Sequence, residues 1–498
     1  DLFRHKELRE QGEAMKKRRN KIRGIKRVLT AFLALVLLFM TSAMAYADDT
    51  FFVADENGDT LPVPAAYEVS HVIKNLEEYG FLSHPEDLFL DKEGYLYVAD
   101  TDNNRILKME RSGKVVSVIT EAFGQPLNKP RGVYVHETDN SIWIADTGNQ
   151  RVVSVFQDGS ERKAYFKPDS ALLESNFTFD PQKIYASKTG YIYALKGANL
   201  MTMDEQNQFR GYLGAANVPF SLQRLLIRTF GTQSQIERTL KQEPAAYTNF
   251  MIGSDGMVYG ILANAKTAQI RKLNTVGNNT YPEQMYGFSI TYDGTNYLSP
   301  MFADIAVESN GIISLVDNNT GLIYQYDQEG NLLTAFGGLG DAEGRYQIPS
   351  SIVADQEGRL YVLDYQTNSI TVYEPTNFIQ MVHQAVTLYG DGRYQESKAY
   401  WEEVKNMDSN YALAHKGIGK VLYKEEKYKE AMSEYRLAAD KEGYSKAFVE
   451  YRHEMFRQYF GWIMLCAGAI LFGAWKLLYS LKKKSDQWAE RIEMGGDL

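Results

Sequence analysis

Four aspartates recur at matching places in the chain, Asp100, Asp146, Asp317 and Asp364, each followed a few residues on by an asparagine: Asn104, Asn149, Asn319 and Asn368. Carboxylate and amide oxygens are the ligands a hard cation such as calcium takes, so these aspartates are candidate metal ligands if they converge. The same residue types also hydrogen-bond turns and strand ends. Recurrence favours that second role. A residue needed by the fold returns in every repeat, whereas chemistry normally needs different groups meeting at one point. No cofactor is fixed by the sequence; a divalent cation is the one its oxygen set admits.

Other catalytic chemistry is sparsely provided. Beyond residue 47 the histidines are His71, His84, His136, His383, His415 and His453, without paired ligand spacing. There is no Gly-x-Ser-x-Gly elbow and no phosphate-cradling glycine loop, and the single cysteine, Cys466, lies in an apolar run. One Cys also excludes an intrachain disulfide. Tyrosine is abundant, at 34 residues, and Tyr281, Tyr286, Tyr292 and Tyr297 crowd one stretch with Phe288 and Phe302. Aromatic faces stack on sugar rings, making these four tyrosines candidate carbohydrate or partner contacts, with ordinary strand packing as the alternative.

The elements that must position such groups are announced by a repeated phrase. Leu96-Tyr-Val-Ala-Asp100-Thr-Asp-Asn-Asn104-Arg105 returns as Ile142-Trp-Ile-Ala-Asp146-Thr-Gly-Asn149-Gln-Arg151, with weaker copies at Tyr191, Met257, Ile312 and Arg359. Steps of 46, 50, 66, 55 and 47 residues separate the six copies, and each copy follows a Gly or Asn turn and alternates as a half-buried strand does. On these residues the sequence resembles NHL-repeat proteins, which implies a mainly β fold, a six-bladed β-propeller over 48–377. Lys196 and Ala263 stand near the expected Asp in blades three and four, so those blades depart from the pattern. The last copy shows three strands, and Tyr67–Ile73 is expected to supply its fourth, closing the ring and removing open sheet edges. Residues 215–249 read as amphipathic helices inserted between blades three and four. Arg224 and Arg228 there are candidate partner contacts, unless the insertion only covers a blade edge. Six-bladed relatives include peptidyl-hydroxyglycine lyases, which use a histidine-bound metal, and gluconolactonase-like hydrolases, which bind a divalent ion through carboxylate and amide oxygens.

The two ends of the chain agree on a topology. Eight Lys or Arg lie between Lys16 and Arg27, an apolar run Val28–Met40 follows, and Ala45-Tyr-Ala47 precedes Asp48. That order reads as a secretory signal over 15–47, cut between Ala47 and Asp48, with 1–14 an upstream extension or leader and an uncleaved anchor as the alternative. A second apolar run, 459–481, spans 23 residues with one charge, Lys476, long enough to cross a bilayer. Lys482, Lys483 and Lys484 follow it, which puts the tail 482–498 in the cytoplasm and the propeller outside. Between propeller and span, Gly392-Arg-Tyr394-Gln-Glu-Ser397 recurs after 34 residues as Glu426-Lys-Tyr428-Lys-Glu-Ala431, so 378–458 resembles a pair of tetratricopeptide repeats.

Residues 1–47 hold 11 basic and 4 acidic side chains, so of the formal net charge of −9 the remainder carries −16. Nucleic acid is thereby excluded as a partner, since phosphates demand a basic footprint. Export without disulfides points to a bacterial source. The sequence thus reads as a single-pass, surface-exposed binding or scaffolding protein. Its partners are expected to be a membrane protein or transporter complex, or a carbohydrate, with the bilayer reached through one helix. A metal-dependent lactonase-type hydrolase is the alternative.

Overall fold

The computed structural model describes residues 51–494 apart from 55–59, 171–172, 174–175, 214–245, 264, 266, 276 and 292–296. Six antiparallel sheets stand around a central axis as the blades of a β-propeller. Their inner strands are Asp87–Leu90, Gly132–Val135, Pro181–Ala186, Tyr247–Ile252, Phe302–Val307 and Pro349–Ala354, each neighbouring the next and the last returning to the first. Blades one, two and three carry four strands each, and blade four shows three among the described residues. Blade three is therefore complete despite its departure from the repeated phrase, because Ile192–Lys196 keeps the apolar alternation the sheet needs.

Blade six draws its outer strand from the front of the chain. Tyr67–Ile73 pairs antiparallel with Ser369–Pro375, so residues about 300 apart in sequence close the ring. Blade five is larger than the sequence suggests. A hairpin of Phe51–Ala54 and Thr60–Val63 adds to its edge strand Leu332–Gly337, and the sheet becomes six-stranded. Phe51 stacks on Phe336 at 5.2 Å, and Tyr67 stacks on the same ring at 5.1 Å.

Five helices follow: α1 (Asn377–Gly390), α2 (Tyr394–Met407), α3 (Ala412–Lys424), α4 (Tyr428–Leu437) and α5 (Lys441–Met494). They pack as consecutive antiparallel pairs, and small residues permit the close approach. A Cβ on Gly417 would sit 2.3 Å from Trp401 Nε1, and one on Gly419 would sit 2.9 Å from the Tyr435 ring. Phe378, Ile379, Val382 and Tyr411 share one apolar core with Phe51, Tyr67, Phe336 and Tyr373 of blades five and six. Polar contacts fix the dock. Tyr411 Oη donates to Leu333 O at 2.8 Å, Lys416 Nζ donates to Asn331 Oδ1 at 2.8 Å, and the His383 ring meets Gln325 Oε1 at 3.1 Å. Helix α5 leaves this core after Ala447 and runs on unbroken, exposed along its length, through the apolar stretch 459–481.

Candidate functional site

The recurring aspartates are each consumed within their own blade. Asp100 accepts from Ser83 N (2.7 Å), Asn103 Nδ2 (2.9 Å) and Arg105 Nε (2.7 Å). Asp146 repeats the pattern with Asn128 N, Asn149 Nδ2 and Arg151 Nε. Asp317 accepts from Met301 N, Asn319 N and Thr320 Oγ1, and Asp364 from the backbone N–H groups of Gln347, Ile348, Gln366 and Thr367. All four are buried, sit at the ends of second strands in four different blades, and do not meet. Among the described residues no group of three or more His, Cys, Asp and Glu converges in a way that could hold a metal ion.

The aromatic candidates also separate. Tyr281 and Tyr286 are not surface contacts: they lie in the core of blades four and five, stacked at 5.6 Å, with Tyr281 Oη donating to Asp327 O and Tyr286 Oη to Pro282 O. Aromatic side chains facing a neighbouring blade produce the same spacing as an exposed aromatic run, which is why the sequence does not tell them apart. Tyr297 lies in a short strand, Tyr297–Leu298, paired with Ile290–Thr291. Tyr292, Arg224, Arg228, Ala47 and Asp48 fall outside the described residues.

Different groups do meet at one point, at the start of the inner strands. Each blade places one residue at the same register there: Asp87, Gly132, Lys183, Asn249, Asp304 and Ser351. Several of them tie their blade to the next. Asp87 Oδ2 accepts from Val133 N at 2.9 Å, Asp304 Oδ2 from Ile352 N at 3.0 Å, and Ser351 Oγ from Leu88 N at 3.1 Å, while Asn249 Nδ2 donates to Ala303 O at 3.1 Å. Gly132 is required by the same crowding, since a Cβ would lie 2.5 Å from Gln182 O.

Lys183 crosses the channel. Its ammonium pairs with Asp87 and lies 3.8 Å from Asp304 Oδ1, and Ser351 Oγ donates to Asp304 Oδ2. Asp87 and Asp304 are each 2% exposed. Burial pushes Asp87 up to about 6, against the pull of Lys183. For Lys183 burial acts downward, but Asp304 and Asp87 outweigh it and hold the ammonium above its ordinary value. A lysine held charged is neither a base nor a nucleophile, so the cluster acts electrostatically.

This plug divides the channel. On one side is a polar vestibule of about 340 Å3, where Glu86 pairs with Arg131 and where Asn318 and Tyr365 line the wall. On the other is an apolar chamber of about 80 Å3, lined by residues such as Leu88, Ile184, Phe250 and Ile352, with Tyr134 and Tyr185 in contact at 4.4 Å. The sequence does hold a signal for the ring. The residue before each inner apolar run takes five types over the six blades, only the aspartate occurring twice, unlike the single type of the recurring aspartates.

Beside the far end of an inner strand, Glu308 has one oxygen shut from solvent without a partner, and burial pushes its carboxyl up to about 7. Both Glu308 and Asp87 therefore bind a proton more tightly folded than unfolded, and the stability each lends is complete below about pH 4 and lost as pH rises through 6 to 7. Glu308→Gln is expected to raise stability at pH 8 by up to roughly 3 kcal/mol and to change it little at pH 4, measured as Tm against pH.

Residues 127–153, in blade two, match the NHL repeat model. No curated protein matches the chain. Among solved structures the chain is similar to a streptogramin B lyase, at 12% identity over 62% of this chain and 98% of that one with a TM-score of 0.40. It is also similar to virginiamycin B lyase from Staphylococcus aureus, at 12% identity, 66% and 88% coverage and a TM-score of 0.37. Hydrazine synthase from Kuenenia stuttgartiensis aligns at 12% identity, 59% and 96% coverage and a TM-score of 0.38. The repeat match and the strand order together place an NHL repeat in the second blade of a six-bladed propeller.

Proposed function

We propose that the protein is a membrane-anchored binding and scaffolding protein whose propeller and helical repeats meet their partners outside the cell. The observation that carries this reading is helix α5. It begins packed in the core that joins propeller and helices, and continues without a break into an exposed apolar stretch of spanning length. From Lys441 to Tyr459 it rises about 27 Å at ~1.5 Å per residue, a stalk continuous with the anchor. Trp462 and Trp475, both strongly exposed, stand near the two ends of that stretch, where aromatic rings favour the membrane interface. The helix pairs, read as tetratricopeptide repeats, would face a membrane protein such as a transporter subunit. The lactonase-type alternative needs carboxylates with free oxygens meeting at one place, and the recurring aspartates are each held by hydrogen bonds in four separate blades.

Intact cells expressing the full chain give the test. The protein is expected to stay in the membrane fraction after alkaline carbonate, with external protease removing the propeller and leaving the tail. Release into the soluble fraction, or a propeller protected from protease with an accessible tail, would overturn the reading.

A further inference from the structure

The channel cluster is unbalanced. Two carboxylates, Asp87 and Asp304, both deeply buried, face one ammonium, Lys183, whose side chain is 17% exposed, while the neighbouring Glu86 and Arg131 neutralise each other at the vestibule. A net negative charge shut away from water is costly unless a cation or hydrogen-bond donors meet it. The deficit has an address: Asp304 lines the apolar chamber, and its Oδ1 is buried with no hydrogen-bond donor, Lys183 Nζ standing off at 3.8 Å. Its other oxygen is fully used by Ile352 N and Ser351 Oγ. Apart from Asp304 and Lys183, the walls of that chamber are almost wholly hydrocarbon and ring surface, from residues such as Leu88, Val133, Ile184, Phe250 and Ile305.

The geometry points to a binding site for a small organic cation, a primary ammonium on a short apolar chain, with its N–H groups on Asp304 Oδ1 and its chain in the chamber. The ammonium supplies the missing charge and the missing donors together, and the chain is buried against apolar side chains as the hydrophobic effect favours. A neutral alcohol of the same shape brings one donor and no charge, and so leaves the imbalance in place. A bare metal ion would leave the apolar walls without a partner. This site goes beyond the scaffolding reading and does not depend on the anchor or on any protein partner, so the cell-surface experiment and the one below can fail separately.

The full chain in detergent is titrated at pH 7 with n-butylammonium, n-butanol and calcium in parallel, following thermal unfolding. Butylammonium is expected to raise Tm by about 2 °C or more at saturation, and butanol to leave it unchanged. Asp304→Asn keeps an acceptor for Ile352 N and leaves Lys183 with Asp87, so it is expected to fold with unchanged circular dichroism and to lose the response. Phe250→Trp, which fills the chamber from another blade, is the second variant and is also expected to abolish the shift. No shift with butylammonium, an equal shift with butanol, a shift that survives both variants, or a shift with calcium alone would each overturn the proposal.

Discussion

Lys183→Met is expected to destabilise the propeller by about 3–5 kcal/mol, the cost of breaking a buried ion pair by removing one partner. Without the ammonium, Asp87 and Asp304 face the channel as two uncompensated carboxylates, each already bound on its other oxygen by a neighbouring blade's backbone. Protonation is then the only relief, so the loss is expected to be largest at alkaline pH and to shrink as pH falls below 6. Adding Asp87→Asn and Asp304→Asn to the methionine variant removes both charges while keeping acceptors for Val133 N and Ile352 N, and is expected to recover most of the loss. Urea unfolding of the three proteins at pH 5.5 and pH 8 measures both statements. A methionine variant as stable as the parent at pH 8 would show that the ring is held by its backbone bonds alone.

The second large effect concerns a recurring aspartate. Asp146→Ala is expected to cost about 3–5 kcal/mol, because it strips a fully buried carboxylate from Arg151, whose side chain is 3% exposed. Asn128 N loses its acceptor in the same step, and Asn149 Nδ2 one of its two. Asp100→Ala is expected to cost less, since Arg105 is 14% exposed and water can take over part of its solvation. A Tm ranking of the two variants checks the order. Equal losses would mean that the turn hydrogen bonds, common to both blades, carry the stability, and the guanidinium contact little of it.

Together these variants separate two kinds of aspartate that look alike in the sequence. Asp100, Asp146, Asp317 and Asp364 recur with period and serve the turns of their own blade. Asp87 and Asp304 stand one strand earlier, differ in type from their counterparts in the other blades, and act across the channel through Lys183.

What the chain determined by itself was everything local and periodic. The recurring phrase carries the turn residues and the strand alternation of each blade, and the buried aspartate of four of them, within a window of about fifty residues, so six blades are countable without a structure. The 34-residue echo at Tyr394 and Tyr428 likewise carries its own helix pairs, and the apolar run 459–481 its own length. Tertiary structure decided what depends on closure. Asp87 and Asp304 are 217 positions apart, and only ring closure through Tyr67–Ile73 brings them to one lysine from a third blade. It also decided that Phe51–Ala54 extends blade five and that Tyr281 and Tyr286 face inward, since an aromatic side chain has the same spacing whether water or a neighbouring blade covers it. Periodicity records which residues share an element's face; which faces meet is fixed by packing, and the chemistry of this channel arises only where they meet.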